Sequence, residues 1–240
     1  MKKLLPILSI LIIISCSKEI QLDQLVERNG LSYEINNKKP FTGSTLSYHS
    51  NGQLESRIEY KDGLKDGLSE TFIENGQILT SKNYKDGQKN GLVESYYEDG
   101  TLQLKLNYKD GQYNGLSEYF YEDGTLEEKA NYKDGKKNGL VESYYEDGTL
   151  QLKLNYKDGQ YNGLYENFYE DGTLLEKKNY KDDQLDGQRI YFYTKGSKSI
   201  KNYSDGKLDG LSVNIHTDGL EWGHTCFKNG EEVPMSNCQN

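Results

Sequence analysis

The chain is short of most of what an enzyme or a thick-cored globular domain needs. Its 240 residues include three cysteines, three histidines, three prolines and one tryptophan, and Ala130 is the sole alanine. Only 34% is hydrophobic. So few aliphatic side chains cannot fill a deep core, and the chain can bury apolar surface only as thin layers on a sheet face. The histidines are His49, His216 and His224. They form no constellation for acid–base or nucleophilic catalysis, so no enzymatic activity and no cofactor are expected. His224 and Cys226 would share a strand face, but the spacing of His216, His224, Cys226 and Cys238 matches no closed zinc site. Positive charge is also short: the net charge is −9, which weighs against nucleic acid as a partner. After the first fifteen residues there is no long apolar run and no helical periodicity.

What the chain has is repetition. Residues 89–116 and 137–164 are identical, at an offset of 48. Half of that offset is the period: Tyr60, Tyr84, Tyr108, Tyr132, Tyr156 and Tyr180 stand 24 residues apart. Two glycine columns keep the same step, one through Gly91 and Gly115, the other through Gly100 and Gly124. Of 25 glycines, 22 follow Asn or Asp. That regularity, with aromatics between, marks a hairpin array and not a disordered polar chain. Leu102 to Lys109 alternates apolar with polar residues, which is a strand signal. The fold class is therefore all-β, an elongated antiparallel sheet or solenoid of 24-residue hairpins adding about 10 Å per repeat.

Two registers fit each hairpin. A two-residue turn places Glu94 opposite Lys105. A three-residue turn with a bulged glycine places Leu92, Tyr96, Leu102, Leu106 and Tyr108 on a single face. Burying a large apolar side chain contributes roughly 1.5–3 kcal/mol. An exposed ion pair contributes roughly 0.2–1 kcal/mol, so the three-residue turn is favoured and the Glu–Lys contact becomes diagonal.

The chain divides into residues 1–15, 16–39, 40–230 and 231–240: an export leader, a lead-in with a weak strand near Leu31 to Ile35, the array, and a tail. Lys2, Lys3 and the apolar run Leu4 to Ile14 form the leader. Ile13-Ile14-Ser15-Cys16 resembles the lipobox of bacterial lipoproteins. That resemblance implies a lipid-modified Cys16, membrane attachment through the acyl chains, and residence in the bacterial envelope, at the outer membrane where there is one. Cys226 and Cys238 remain as an even pair in an oxidising compartment, and are expected to form a disulfide that staples the last repeat.

Tyr108-Lys109-Asp110-Gly111, Gly115, Phe120-Tyr121, Asp123-Gly124 and Leu126 resemble the MORN repeat in its bacterial variant form. The resemblance implies a hairpin-built scaffold for protein or membrane contact. Many bacterial members are labelled antitoxins of toxin–antitoxin pairs, so an antitoxin or immunity role is one alternative. Tyr96-Tyr97-Glu98-Asp99-Gly100-Thr101-Leu102 is also similar to the choline- or glucan-binding repeats of surface proteins, which makes a glycan or cell-wall polymer another. The candidate binding residues are Tyr97, Tyr121, Tyr145, Tyr169 and Tyr193. They follow the column of Phe72, Tyr96 and Phe120, and so are expected to form an aromatic stripe on the opposite sheet face, facing a protein partner.

Overall fold

The computed structural model describes residues 18–193 and 195–238. The leader and Cys16 lie outside the described residues. Among the described residues, twenty strands form one open sheet, and the long strands pair antiparallel with their neighbours in chain order. The exception is Glu19–Gln21, which runs parallel to Gly43–Tyr48 at the first edge. Over that edge lies a small hairpin, Leu25–Arg28 with Leu31–Glu34. Ile20, Phe41 and Tyr60 pack beneath it. The sheet thus runs past both expected ends of the array. It starts inside the lead-in, and Glu231–Val233, expected as tail, is its last strand.

Two turn types alternate. Between repeats, Asp110 and Gly111 both take positive φ, +49° and +78°. This is the two-residue turn whose twist matches that of the flanking strands. At the hairpin tips, Tyr97 N–H donates to the Thr101 carbonyl at 2.8 Å, and Gly100 N–H donates to the Tyr97 carbonyl at 2.9 Å. The tip loop is therefore the three-residue type, with Gly100 at φ +91°.

Below the tip the register changes. Tyr96 lies opposite Leu102, but Ser95 lies opposite Leu104. Gln103 is an extra residue, a β-bulge, and below it Glu94 faces Lys105 directly. Both registers read from the sequence therefore coexist in one hairpin. Two expectations are corrected as a result. The Glu–Lys contact is direct and not diagonal. Leu92, Tyr96 and Leu102 lie on one face, while Leu106 and Tyr108 lie on the other, because the bulge shifts everything below it by one residue.

A second irregularity sits at the other end of the strands. Lys82 pairs with Val93 but Tyr84 pairs with Lys89, so Gln88–Tyr96 carries two more residues than its neighbour. Asn90-Gly91 absorbs them, with Gly91 at φ +105°. A Cβ there would meet the Asn83 Cβ at 3.3 Å. Bulges at both ends of the hairpins from Gly43 to Lys181 bend and twist the sheet.

One face, the packed face, carries a row with one residue per strand: Val93, Leu106, Ser117, Ala130, Val141 and Leu154, each opposite the next. All six are buried. The cover comes from taller neighbours on the same face, Tyr132, Leu152, Tyr156 and Tyr165 around the central cluster. Ala130 is 0% exposed, and only a small side chain fits under such cover. The opposite face carries a charge ladder in which Lys105, Glu118, Lys129, Glu142, Lys153 and Glu166 face one another in turn. Glu142 reaches Lys129 at 2.6 Å and Lys153 at 3.8 Å.

Ser117 is fully buried, and its hydroxyl has no partner among the described residues. A lone buried hydroxyl costs about 1–3 kcal/mol. Ser117→Ala is therefore expected to stabilise the protein by about 1 kcal/mol, read as a higher denaturant midpoint with an unchanged slope. A lower midpoint would show that the hydroxyl is satisfied.

Candidate functional site

The candidate tyrosines stand at the hairpin tips, next to the three-residue loops. The hydroxyls of the first four are occupied. Tyr97 Oη donates to the Phe120 carbonyl at 2.7 Å, Tyr121 to Tyr144 at 2.8 Å, Tyr145 to Phe168 at 2.8 Å, and Tyr169 to Phe192 at 3.4 Å. Each bond reaches into the next repeat. His49 holds the same column position and binds the Phe72 carbonyl through Nε2 at 2.8 Å. Tyr193 is 48% exposed and packs edge-on against Tyr191, ring centroids 5.0 Å apart.

The stripe does not stand on a second face of its own. It borders the packed face, because Leu106 and Tyr108 share its side of the sheet once the bulge at Gln103 is counted. The rings line grooves between successive tips. One, of about 690 Å³, lies among Tyr145, Tyr169, Leu174, Phe192 and Tyr193. Another, of about 800 Å³, lies among His49, Thr71, Phe72, Ile73 and Leu79. The tip bonds fix the ring positions, so these grooves are pre-organised.

A second aromatic file runs along the other end of the packed face; the sequence shows its column of Tyr108, Tyr132 and Tyr156 as the period, but not its pairing with Tyr113 and Tyr161. Tyr108 faces Gly91 on one side and Tyr113 on the other. The Tyr113 ring lies 4.7 Å from Tyr108 and 5.1 Å from Tyr132. Lys89 covers the Tyr108 ring at 4.9 Å, and Lys137 covers Tyr156 at 5.7 Å. Burial, with neighbouring tyrosines second, pushes the Tyr108 and Tyr156 phenols well above their ordinary range, so both stay neutral. The signal was present in the sequence, as Tyr108, Tyr132 and Tyr156 each seventeen residues after Gly91, Gly115 and Gly139. Reading it needed the register.

At the far end, Cys226 and Cys238 are bonded, with their Cα atoms 5.9 Å apart. The bond ties the 3-10 turn Met235–Cys238 to the strand Glu221–Lys228. His216 stacks on Trp222 at 5.4 Å, and His224 contacts Glu221 at 3.1 Å. Among the described residues no three of His, Cys, Asp and Glu gather as metal ligands would.

Hairpins that alternate two turn types, pair only with their sequence neighbours and repeat every 24 residues define an open hairpin-repeat protein. The sequence signature of the MORN repeat variant matches residues 41–62, 65–86, 89–110, 113–134, 137–158 and 161–182, more than half of the chain. The chain belongs to the MORN repeat variant family. No curated protein matches it. The match stops at residue 182, yet Gly187–Phe192 with Lys198–Ser204, and Gly210–Ile215 with Glu221–Lys228, continue the same sheet.

The tips also hold titrating groups. Asp99, Asp123 and Asp147 each accept from a threonine N–H two residues on, at 2.8 Å. Those bonds, with the threonine hydroxyls second, hold their carboxyls below the ordinary 3.8. At Asp171 the Thr173 hydroxyl comes first and its N–H second. A depressed carboxyl contributes stability that is complete above the unfolded pKa and is lost as pH falls through the folded one. Stability should therefore be flat at neutral pH and fall below about pH 4. Asn51 and Asn75 make the same bond without titrating. Replacing all four aspartates by Asn should make the acid limb of a denaturant-midpoint against pH curve shallower. An unchanged limb would locate its origin elsewhere.

Proposed function

We propose that this chain is a non-enzymatic scaffold, held at the bacterial envelope by lipid on Cys16, that engages a protein partner along the tip-tyrosine shelf. The observation that carries the reading is the pinning of the rings. The hydroxyls of Tyr97, Tyr121, Tyr145 and Tyr169 are spent inside the protein, at 2.7 Å for Tyr97, 2.8 Å for Tyr121 and Tyr145 and 3.4 Å for Tyr169. The ring faces are left as rigid walls of open grooves. Tyrosine gives large contact area at low entropic cost. Repetition at about 10 Å intervals suits an extended partner that gathers several weak contacts, which add through effective concentration. The acyl chains supply the anchor, at about 0.8 kcal/mol per buried methylene.

The test separates ring from hydroxyl. The triple variant Tyr121→Phe, Tyr145→Phe, Tyr169→Phe loses three hydrogen bonds, about 1 kcal/mol each, and keeps the rings. It should still enrich the protein that the wild-type chain enriches from envelope extract. Changing the same three to Ala should cut that enrichment tenfold or more while the β-type circular dichroism persists. Equal enrichment by wild type and the alanine variant would defeat the shelf reading. Anchoring is tested apart: Cys16→Ser should release the protein from salt-washed membranes, and retention there would rule out the lipid.

A further inference from the structure

The last two hairpins exchange the polarity of the two faces. In the central repeats the packed face carries Val93 and Leu106, and the opposite face carries Glu94 and Lys105. In the hairpin Gly187–Phe192 with Lys198–Ser204 those packed-face positions are Arg189 and Lys201, directly opposite each other. The positions behind them are Ile190 and Ile200, and Val213 continues that apolar row. This hairpin is also one residue short, and the missing residue is the bulge. Its tip keeps the three-residue loop bonds, but Phe192, Tyr191 and Ile190 face Lys198, Ser199 and Ile200 with no shift.

The result is a trough on the packed face. Its floor is Ser199 and Asn214, opposite each other on adjacent strands. Its end walls are Tyr191, opposite Ser199, and Trp222, opposite Asn214. Three strand spacings separate the walls, about 14 Å. Its tip side is closed by Tyr193 and by His216, which stacks on Trp222. Its other side is Arg189 and Lys201. Two cavities share Tyr193 here: about 480 Å³ against Asn214, His216 and Trp222, and about 340 Å³ against Arg189, Tyr191, Ser199 and Lys201.

The charges are unbalanced. Glu176 is shared between Lys178 at 2.7 Å and the Arg189 Nε at 2.6 Å. Lys201 adds a third cation, and its neighbours on the same face of its strand are Ser199 and Tyr203. Glu176 thus contacts two cations, and the third, Lys201, lies opposite Arg189 with no ion pair among the described residues, within a chain of net charge −9. Like charges placed opposite each other across strands are destabilising, and an anion between them removes the cost. The end walls are aromatic, with Trp222 51% exposed. The floor offers a hydroxyl and an amide.

We propose that this trough binds an acidic glycan. Sugar rings lie with their C–H faces on Tyr191 and Trp222. Hydroxyls bond to Ser199 and Asn214, and a carboxylate, sulfate or phosphate on the sugar sits between Arg189 and Lys201. The width fits two sugar units. The floor offers donors and acceptors to ring hydroxyls, and the oligonucleotide and hexaglutamate titrations below separate a sugar from a stacked base or an acidic peptide. The trough adjoins the tip shelf at Tyr193, and because the shelf test leaves that residue unchanged, neither reading depends on the other.

Trp222 is the sole tryptophan, so its fluorescence reports on the trough directly. Full-length protein is titrated with a trigalacturonate, a sulfated trigalactose, a phosphorylated trigalactose, neutral trigalactose, a dT8 oligonucleotide and hexaglutamate. At least one acidic trisaccharide should change the Trp222 emission saturably and bind at least tenfold more tightly than its neutral counterpart. The variant Arg189→Gln, Lys201→Gln should lose that preference at least tenfold with its circular dichroism intact. Trp222→Ala, followed by calorimetry, should lose binding likewise. Tighter binding of dT8 or hexaglutamate than of every sugar overturns the proposal. So does equal binding of acidic and neutral sugars, or no change with any acidic sugar.

Discussion

One added residue per hairpin decides which side chains meet across the sheet. With the bulge at Gln103 in place, the tip closes as a three-residue loop while the strands below run one step out of that register. Glu94 then faces Lys105, Val93 faces Leu106, and Gly91 faces Tyr108. Slipping a strand by one residue sends every side chain to the other face. The buried row, the charge ladder and the tyrosine file all depend on the bulge recurring in phase. Where it is absent, in the hairpin after Gly187, the chain has exchanged apolar for charged residues at the affected rows.

A single-layer sheet has no partner layer to bury its core. Protection comes from within the face, where tall neighbours, Tyr132, Leu152, Tyr156 and Tyr165, cover the buried row. The hydroxyls of Tyr97, Tyr121, Tyr145 and Tyr169 bond one repeat onward, and the rings of the second file lean together as Tyr108–Tyr113–Tyr132 and Tyr156–Tyr161–Tyr180, with Lys137 between. Such a protein is held by nearest-neighbour terms and has no stable isolated unit. Both ends consequently need covers of another kind. The first edge has the parallel strand Glu19–Gln21 and its small hairpin. The last has Glu231–Val233 and the bond between Cys226 and Cys238.

Period, fold class and tip-loop type were legible in the sequence, because Gly, Asp and Asn at fixed steps determine local backbone conformation. The register was not. Weighing burial against ion pairs as alternatives ignored a backbone that satisfies both by spending one residue, Gln103. The same error put the tip tyrosines on a face of their own. Their carbonyl partners 23 residues away were also hidden, since nothing local marks a bond from Tyr97 to Phe120. The trough was missed for a different reason. Arg189, Ser199, Asn214 and Trp222 lie far apart in the chain and match no motif, and only strand pairing makes them neighbours.

The central claim is that the fold is a phase-locked array in which only whole repeats can be exchanged. Circular dichroism and denaturant unfolding of two deletions test it most directly. Removing residues 89–136 rejoins identical sequence 48 residues on, in phase. That variant should stay β-rich and unfold cooperatively, with a smaller denaturant slope because less surface is buried. Removing residues 89–100 takes out one strand and its turn and breaks the phase, and it should abolish the transition. Equal damage from both deletions, or a folded product from the shorter one alone, would contradict the account.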